Sequence, residues 1–142
     1  MRIRRITQED LAECGVIYTR AFAGPPYHED WDLELATEML AGLFMRDPGS
    51  AWCVEEDGEL AGFAFCTTYG TFRATIQEFA FAPRFQRRGF GTALMNYVLG
   101  QFRLAGIKTL DLVVRRDAPA HNFYRRFGFQ QPENYIIMAL WL

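Results

Sequence analysis

The sequence has 142 residues, of which 50% are hydrophobic and 23% charged, and its formal net charge is −2. These values exclude disordered and fibrous proteins and predict one domain over residues 1–142, because domains usually contain about 50–250 residues. The longest apolar stretches, Leu60–Cys66 and Tyr135–Leu142, are too short to cross a bilayer, and the charged N-terminus lacks the apolar region of a signal peptide. We therefore expect a cytoplasmic protein without a membrane partner.

Charge is distributed unevenly along the chain. Residues 1–71 contain five basic and thirteen acidic residues, whereas residues 72–142 contain ten basic and four acidic ones. A basic half in a protein of low pI favours one local anionic ligand over a nucleic-acid surface, although scattered solvated charge would give the same count.

The three cysteines are widely spaced, and each lies among apolar neighbours, at Cys14, Cys53 and Cys66. This pattern predicts buried free thiols. The sequence has no pair of closely spaced cysteines and only two distant histidines, so we expect no metal site.

The first fifty residues predict one strand and two helices. A short strand at Arg2–Ile6 precedes Thr7-Gln8-Glu9-Asp10, a pattern typical of a helix start because the Thr and Asp side chains accept hydrogen bonds from unpaired backbone N–H groups. The first helix ends at Gly24-Pro25-Pro26, and the second runs from Trp31-Asp32 to Asp47-Pro48-Gly49. Five apolar residues share one face of the second helix: Leu33, Ala36, Met39, Leu40 and Leu43.

At Ala51 the hydrophobic period changes from helical spacing to alternation, which predicts an antiparallel sheet. Two strands, Ala51–Glu56 and Leu60–Thr68, flank Asp57-Gly58. This dipeptide is a strong hairpin signal because both residues tolerate positive φ. A third strand is predicted at Phe72–Phe81.

The rest of the chain predicts a βαβ unit, a short helix and a final strand. The third strand leads through the loop Pro83–Gly91 to an amphipathic helix, which ends at Gly106 before a strand at Ile107–Val114. A helix at Pro119–Phe127 and a strand at Tyr135–Leu142 complete the order β-α-α-β-β-β-α-β-α-β. We expect a mixed α/β fold, with a mostly antiparallel sheet and helices on both of its faces.

The loop before the third long helix is the clearest candidate for a binding site. Unpaired backbone N–H groups and the positive end of a helix dipole meet at such a position, where phosphate groups bind readily. Gly89 and Gly91 permit close approach of a ligand to the backbone, and Arg87 and Arg88 add charge-assisted hydrogen bonds. A tight turn with close helix packing is the alternative reason for the glycines.

Two other nucleotide-binding loops fit less well. A Walker loop requires Gly-Lys-Ser/Thr, which is missing. A Rossmann loop would explain Asp111, twenty residues past Gly91, but Leu94 occupies the third small position and Asp111 lies within a predicted strand. The residues after Asp111 are also too few to complete a doubly wound sheet.

Two motifs joined by a βαβα spacing make the chain resemble the GNAT superfamily of acetyl-CoA-dependent N-acetyltransferases. The family pattern Q/R-x-x-G-x-G/A is present at Gln86–Gly91, after the strand and proline of Phe79–Pro83. The second pattern, A-x-x-F-Y-x-x-x-G-F, is present at Ala120–Phe129. The resemblance covers roughly residues 2–142 and implies a three-layer GNAT fold with acetyl-CoA as co-substrate.

The resemblance also implies which residues contact acetyl-CoA. The backbone of Phe79, Ala80 and Phe81 pairs with the pantetheine arm, and Tyr124, preceded by Phe123, lies beside the thioester sulfur. The loop that wraps the pyrophosphate consists of Gln86, Arg87, Arg88, Gly89, Phe90, Gly91 and Thr92.

One position departs from the pattern of the superfamily. Asp117 stands where many relatives have Asn, and a carboxylate accepts hydrogen bonds without donating any. The pattern of the superfamily therefore does not predict which contact Asp117 makes to the cofactor or the loop.

Transfer of an acetyl group to an amine requires a base, an oxyanion donor and an acid for the departing thiolate. Tyr124 suits the role of acid, and the backbone N–H of Phe81 or a neighbour suits that of oxyanion donor; a core aromatic is the alternative for Tyr124. Glu78 is the candidate base, on the strand face opposite Phe79 and Phe81. A cross-strand charge pair with Arg73 or another surface residue is the alternative role for Glu78.

Further candidates lie in the loop between the first two helices, where acidic and aromatic residues accompany a histidine. Loops carry substrate contacts more often than cores do, so this loop is a candidate acceptor site. An acidic helix N-terminus, favoured by the dipole, is the alternative. The acceptor-binding candidates are His28, Glu29, Asp30 and Asp32.

Together these features predict an enzyme that acetylates a primary amine by direct attack on acetyl-CoA, because no thiol lies near either motif in the sequence. The sequence leaves open whether the acceptor is a small amine, an amino acid, a protein amine or an aminoacyl-tRNA. It also leaves open whether the protein forms a homodimer. The alternatives are a non-catalytic CoA-binding regulatory module and a nucleic-acid-binding protein. The arginines that a nucleic-acid-binding protein would use are Arg84, Arg87, Arg88, Arg115, Arg116, Arg125 and Arg126.

Overall fold

The computed structural model describes residues 1–142, which form one five-stranded sheet and four α-helices. The strands are β1 (Arg2–Arg5), β2 (Ala51–Glu56), β3 (Glu59–Tyr69), β4 (Arg73–Phe81) and β5 (Thr109–Leu112). The helices are α1 (Leu11–Ala21), α2 (Leu33–Arg46), α3 (Phe90–Leu104) and α4 (Pro119–Arg126). None of the helices has both the length and the apolar character required to span a membrane.

The strands lie in sequence order, β1-β2-β3-β4-β5. All neighbours are antiparallel except β4 and β5, which run parallel. This arrangement confirms the predicted mixed, mostly antiparallel fold class and excludes a doubly wound sheet. The hairpin between β2 and β3 turns at Asp57 and Gly58, whose φ angles of 51° and 78° match the predicted turn.

Helices cover both faces of the sheet. On β2, Trp52 packs against Phe102 of α3 with ring centroids 5.6 Å apart. The next residue, Cys53, lies near Cys14 of α1: burial raises the pKa of the Cys14 thiol, and the charge of a Cys53 thiolate would add to this shift. Because neighbouring strand residues point to opposite faces, α1 and α3 lie on opposite sides of the sheet. All three cysteines are free and buried, as predicted.

Three details differ from the sequence-based expectation. Leu33, expected on the buried face of α2, is 49% exposed, because the packed residues of this helix begin one turn later at Ala36. The strand expected at Ile107–Val114 is paired only over its four central residues. The strand expected at Tyr135–Leu142 does not form, and its side chains are exposed.

The failure of the last strand has a physical reason. Its β-branched and aromatic residues have a propensity for strands, but a strand also has to pair its backbone with a neighbour, and this segment does not pair with the free edge of β5. Residues 130–142 make no backbone hydrogen bond within the chain.

Gly62 fixes the distance between β3 and the ring of Phe81 on β4. A Cβ at Gly62 would overlap with that ring and would lie 2.6 Å from the Ala80 carbonyl oxygen. Because the backbone of a paired strand cannot move away, we expect Gly62→Ala to destabilise the fold by about 1–3 kcal/mol, the usual cost of overpacking. Urea unfolding measures this loss, with Gly42→Ala as control because a Cβ at Gly42 meets no atom within 4 Å. Equal stability of the two variants would contradict the close contact.

Candidate active site

The sheet opens where β4 continues past β5. β5 pairs only with Arg73–Ile76, so the second half of β4, Gln77–Phe81, has no strand on that side. The two parallel strands therefore frame an opening in the sheet, with the free edge of β4 as one of its walls.

A β-bulge in β4 decides which backbone groups face this opening. The register between β3 and β4 shifts at Phe65 and Cys66, which leaves Gln77 as the extra residue. Beyond the bulge, the Ala82 N–H donates to the Ala61 carbonyl on β3 at 2.9 Å. Because successive backbone groups of a strand point to opposite sides, the N–H groups of Phe79 and Phe81 face the opening.

The loop after β4 presents a row of unused donors at the same end of the sheet. The backbone N–H groups of residues 87–92 make no hydrogen bond within the protein, and the first paired N–H of α3 is that of Ala93, bonded to the Gly89 carbonyl. Positive φ angles at Arg87 (59°) and Gly89 (87°) turn the chain into this row. The Gln86 amide ties the loop to β4 by donating to the Phe81 carbonyl at 2.9 Å.

Two arginines in this loop have no carboxylate partner. Arg84 pairs with Glu59 at 2.8 Å, whereas Arg87 and Arg88 form no ion pair. The Arg88 guanidinium lies over the ring of Phe90, 5.2 Å from its centroid. The N–H row, the dipole of α3 and these two free charges form a site that fits a pyrophosphate.

Glu78 is half-buried on the α1 side of β4. Its Oε1 accepts a hydrogen bond from the Tyr18 hydroxyl at 3.5 Å. Burial raises the pKa of its carboxyl from the usual 4.5 to about 7, and the negative charge of Glu29 adds to this, while the contact with Tyr18 opposes it. The alternative role as a charge partner is wrong, because Glu78 forms no ion pair and Arg73 pairs instead with Asp111 at 3.6 Å.

Tyr124 projects from α4, and its buried ring packs edge-to-face on Phe79 and Phe123, with centroids 6.1 and 5.3 Å away. Its hydroxyl donates no hydrogen bond in the protein and keeps contact with solvent. Burial raises the pKa of this phenol well above its usual value, and the charges of Tyr27 and Glu78 add to the shift. Tyr124 is therefore protonated at neutral pH.

The structure separates the four acceptor candidates. Glu29 is half-buried and accepts a hydrogen bond from the Trp31 indole at 2.6 Å, and its charge acts on Glu78. Asp32 instead caps α2 by accepting from the Leu35 N–H at 3.0 Å, which supports the helix-start alternative for this residue. His28 and Asp30 are exposed and make no side-chain hydrogen bond. Of the four candidates, only Glu29 thus has a charge that raises the pKa of Glu78.

Two residues near Glu78 were not found from the sequence. Tyr18 lies on the buried face of α1, where a tyrosine also brings a hydroxyl into the core. Cys66 lies beside the bulge, paired with Ile76, and its charge would act on Tyr124, so a thiol does lie near the site, contrary to the expectation from the sequence. Burial raises the pKa of the Cys66 thiol well above its usual value, which makes it a poor nucleophile.

The position that departs from the superfamily pattern is occupied by a local ion pair. Asp117 accepts two hydrogen bonds from Arg115, both at 2.9 Å, and this pair holds the pKa of the Asp117 carboxyl below its usual value. The hydrogen bonds of this carboxylate thus stay within the segment between β5 and α4.

Comparison with known proteins agrees with this geometry. An uncharacterised N-acetyltransferase of Methanocaldococcus jannaschii is 28% identical over 92% of this chain, which spans 61% of the length of that protein. The ribosomal protein bS18-alanine N-acetyltransferase of Haemophilus ducreyi is 32% identical over 79% of this chain and 91% of its own.

Among solved structures, the PaiA N-acetyltransferase of Thermoplasma acidophilum, in complex with coenzyme A, has the same fold, with a TM-score of 0.81 and 20% identity over 94% of this chain and 92% of its own. The model of the Acetyltransferase (GNAT) family matches residues 12–129. The chain therefore belongs to the GNAT acetyltransferase family.

Proposed function

We propose that this protein is an N-acetyltransferase that transfers the acetyl group of acetyl-CoA to a primary amine by direct attack. One observation carries the proposal: the unused N–H row of residues 87–92 lies at the end of β4, on which Phe79 and Phe81 point free N–H groups into the opening. An extended ligand with a diphosphate at one end fits these two sets of donors in sequence. The coenzyme A bound to a protein of the same fold supports this ligand.

The residues around the opening supply each step of the transfer. Glu78, directly or through a water, accepts the proton that the amine loses as its nitrogen bonds to the carbonyl carbon. The N–H group of Phe79 or Phe81 donates to the oxygen that becomes negative. Tyr124 donates its proton to the sulfur as the C–S bond breaks. The products are an amide and a free thiol, and solvent restores both side chains.

The raised pKa of Glu78 favours one class of acceptor. A base with a pKa of about 7 is well matched to an α-amino group, whose pKa is about 7.7–8.0, and poorly matched to a lysine amine, at about 10.4. The bS18-alanine N-acetyltransferase, named for its alanine acceptor, supports a protein or peptide acceptor. We therefore propose the α-amine of a peptide as the acceptor class.

The test measures thiol release from acetyl-CoA in the presence of matched peptides. A peptide with a free α-amine and no lysine is expected to accelerate release. The same peptide with a blocked N-terminus and one added lysine is the control, and it is expected to react much more slowly. Faster reaction of the lysine peptide would contradict the acceptor class while leaving the acetyl transfer intact.

The two alternatives from the sequence give different results in the same assay. A regulatory module would bind CoA and release no thiol with any amine. A nucleic-acid-binding protein would bind oligonucleotides with an affinity that falls steeply with salt and does not respond to CoA.

Gly91 tests the ligand site itself. A Cβ at Gly91 would touch the rings of Phe123 and Phe81 at 3.7–3.8 Å, so the branched side chain of Gly91→Val extends into the space before the N–H row. Bound ligand at about 100 times its Kd stabilises a protein by about 2.7 kcal/mol, and we expect this protection by CoA to be lost in the variant. Thermal unfolding with and without CoA measures it. Gly100→Val, on the same helix and in open space, should keep the full shift.

A further inference from the structure

Arg126, in the last turn of α4, is a cation that the proposed transfer does not use. It forms no ion pair, and its guanidinium lies over the ring of Phe123, 5.8 Å from the centroid. The adjacent Arg125 is also exposed and unpaired, but its guanidinium lies over no ring. Cations in the last turn of a helix complement the helix dipole, which explains both charges. The dipole does not explain why one guanidinium is placed on Phe123.

The ring of Phe123 lies between this guanidinium and the loop that presents the free N–H groups. The ring edge is 3.7 Å from the position that a Cβ would take at Gly91, in the first turn of α3. Phe90, one residue earlier and about 100° away around the helix axis, carries the Arg88 guanidinium 5.2 Å from its ring centroid. Unpaired arginines therefore flank the start of α3 on two sides, and Arg126 is the one that another helix supplies.

The N–H row of residues 87–92 binds phosphate without distinguishing its source. Backbone N–H groups and the dipole at a helix start bind any phosphate group, and ADP or NAD carries the same diphosphate as CoA. CoA differs from these two nucleotides by a phosphate monoester on the 3′ oxygen of its ribose, with a charge of about −1.5 to −2 near pH 7. Selection of CoA through its nucleotide therefore requires a cation beyond the row.

We propose that Arg126 binds the 3′-phosphate of CoA and so distinguishes CoA from nucleotides that share only its diphosphate. This inference rests on the proposed function, because it takes CoA as the ligand of the N–H row. One ribose separates the 3′-phosphate from the diphosphate in CoA, and one aromatic ring separates Arg126 from the row in the protein. The guanidinium presents parallel N–H donors that match the oxygens of a phosphate, and the cation–π contact with Phe123 holds it in place.

The test compares CoA with dephospho-CoA, which lacks only the 3′-phosphate, by titration calorimetry on the full chain. We expect the wild type to bind CoA about tenfold more tightly, the effect of a charge-assisted contact at an exposed site. In Arg126→Gln the affinity for CoA should fall to that for dephospho-CoA, which itself should not change. Arg125→Gln is the matched control, because it removes the neighbouring charge of the same helical turn, and it should keep the tenfold ratio.

Two further measurements separate a phosphate contact from a change in the shape of the site. Arg126→Lys keeps the charge but loses the parallel donors, so a preference for CoA of about threefold should remain. ADP and its 3′-phosphate derivative lack the pantetheine arm, and they should show the same preference in the wild type and none in Arg126→Gln. With acetyl-CoA as substrate, KM should rise about tenfold in Arg126→Gln while kcat stays unchanged, because the contact is the same before and during the reaction.

Four results would overturn the inference, and only one of them also overturns the proposed function. Equal binding of CoA and dephospho-CoA by the wild type would show that the 3′-phosphate is not recognised. An unchanged ratio in Arg126→Gln, with either equal losses for both ligands or no loss, would assign Arg126 to the diphosphate or to no ligand. A ratio that falls in Arg88→Gln instead would place the 3′-phosphate on the other side of α3. A wild type that binds neither ligand would overturn the proposed function as well.

Discussion

Glu78→Gln is expected to lower kcat by about 10²–10⁴, the usual contribution of a general base, with little change in the affinity for acetyl-CoA. The carboxyl is half-buried beside Tyr18 and titrates at about 7. In the wild type, kcat/KM should therefore rise with pH through about 7, as Glu78 loses its proton. In the Glu78→Gln variant this limb of the pH profile, the rise of kcat/KM through about pH 7, disappears. The pH dependence that remains comes from the ionisation of the amine.

The same substitution is expected to stabilise the fold. Folding raises the pKa of Glu78, so between pH 4.5 and about 7 the folded state binds more protons than the unfolded state, and stability falls as pH rises. Above pH 7 the full cost of the buried charge is present. A neutral amide removes it, and at pH 8 the free energy of unfolding should increase by as much as about 3 kcal/mol. At pH 4 the two proteins should unfold alike.

Two further variants separate a base from a structural carboxyl. Tyr18→Phe removes the donor that stabilises the carboxylate, so the limb near pH 7 should move to higher pH while turnover at pH 9 persists. Glu38→Gln, on the exposed side of α2, should change neither activity nor its pH profile. An unchanged limb in Glu78→Gln would assign the base to another group.

Local features of this chain could be predicted because short stretches determine them. Asp57 and Gly58 form the expected turn since both adopt positive φ, whatever surrounds them. The loop at residues 86–92 follows from a strand, a glycine pair and a helix start, all within one short stretch of sequence. Its free N–H groups are a consequence of any helix N-terminus.

Contacts between distant elements could not be predicted in this way. Tyr18 and Glu78 are sixty residues apart and meet only because α1 crosses the face of β4. The bulge at Gln77 depends on the register of β3 against β4, and no residue type in either strand predicts this register. The same register places Cys66 near Tyr124. The sequence therefore located the ligand loop better than the groups around the reacting atoms.

The end of the chain shows a different limit. Tyr135–Leu142 has the composition of a strand, but the expectation of a strand was wrong. Strand propensity does not determine which neighbouring strand a segment pairs with. In the structure the segment stays exposed and makes no backbone hydrogen bond, although the outer edge of β5 is free.

Tyr124→Phe is expected to lower kcat by about 10–10³, at or just below the usual range for a lost general acid. The substitution removes one oxygen and keeps the ring that packs on Phe79, Phe123 and Phe129. Because the hydroxyl makes no hydrogen bond in the protein, its removal leaves no buried group unpaired. Stability and the affinity for acetyl-CoA should therefore stay close to those of the wild type.

The dependence on the leaving group distinguishes an acid from a packing residue. A thiolate from a more acidic thiol needs less help to depart, so the ratio of wild-type to variant kcat should shrink with such a thioester. Tyr97→Phe, a partly exposed tyrosine of α3 next to Trp52, is the matched control and should retain full activity. Full kcat in Tyr124→Phe would end the acid assignment. Equal losses of kcat and CoA binding would instead show that Tyr124 shapes the ligand site, because a proton donor to sulfur acts only after the thioester is bound.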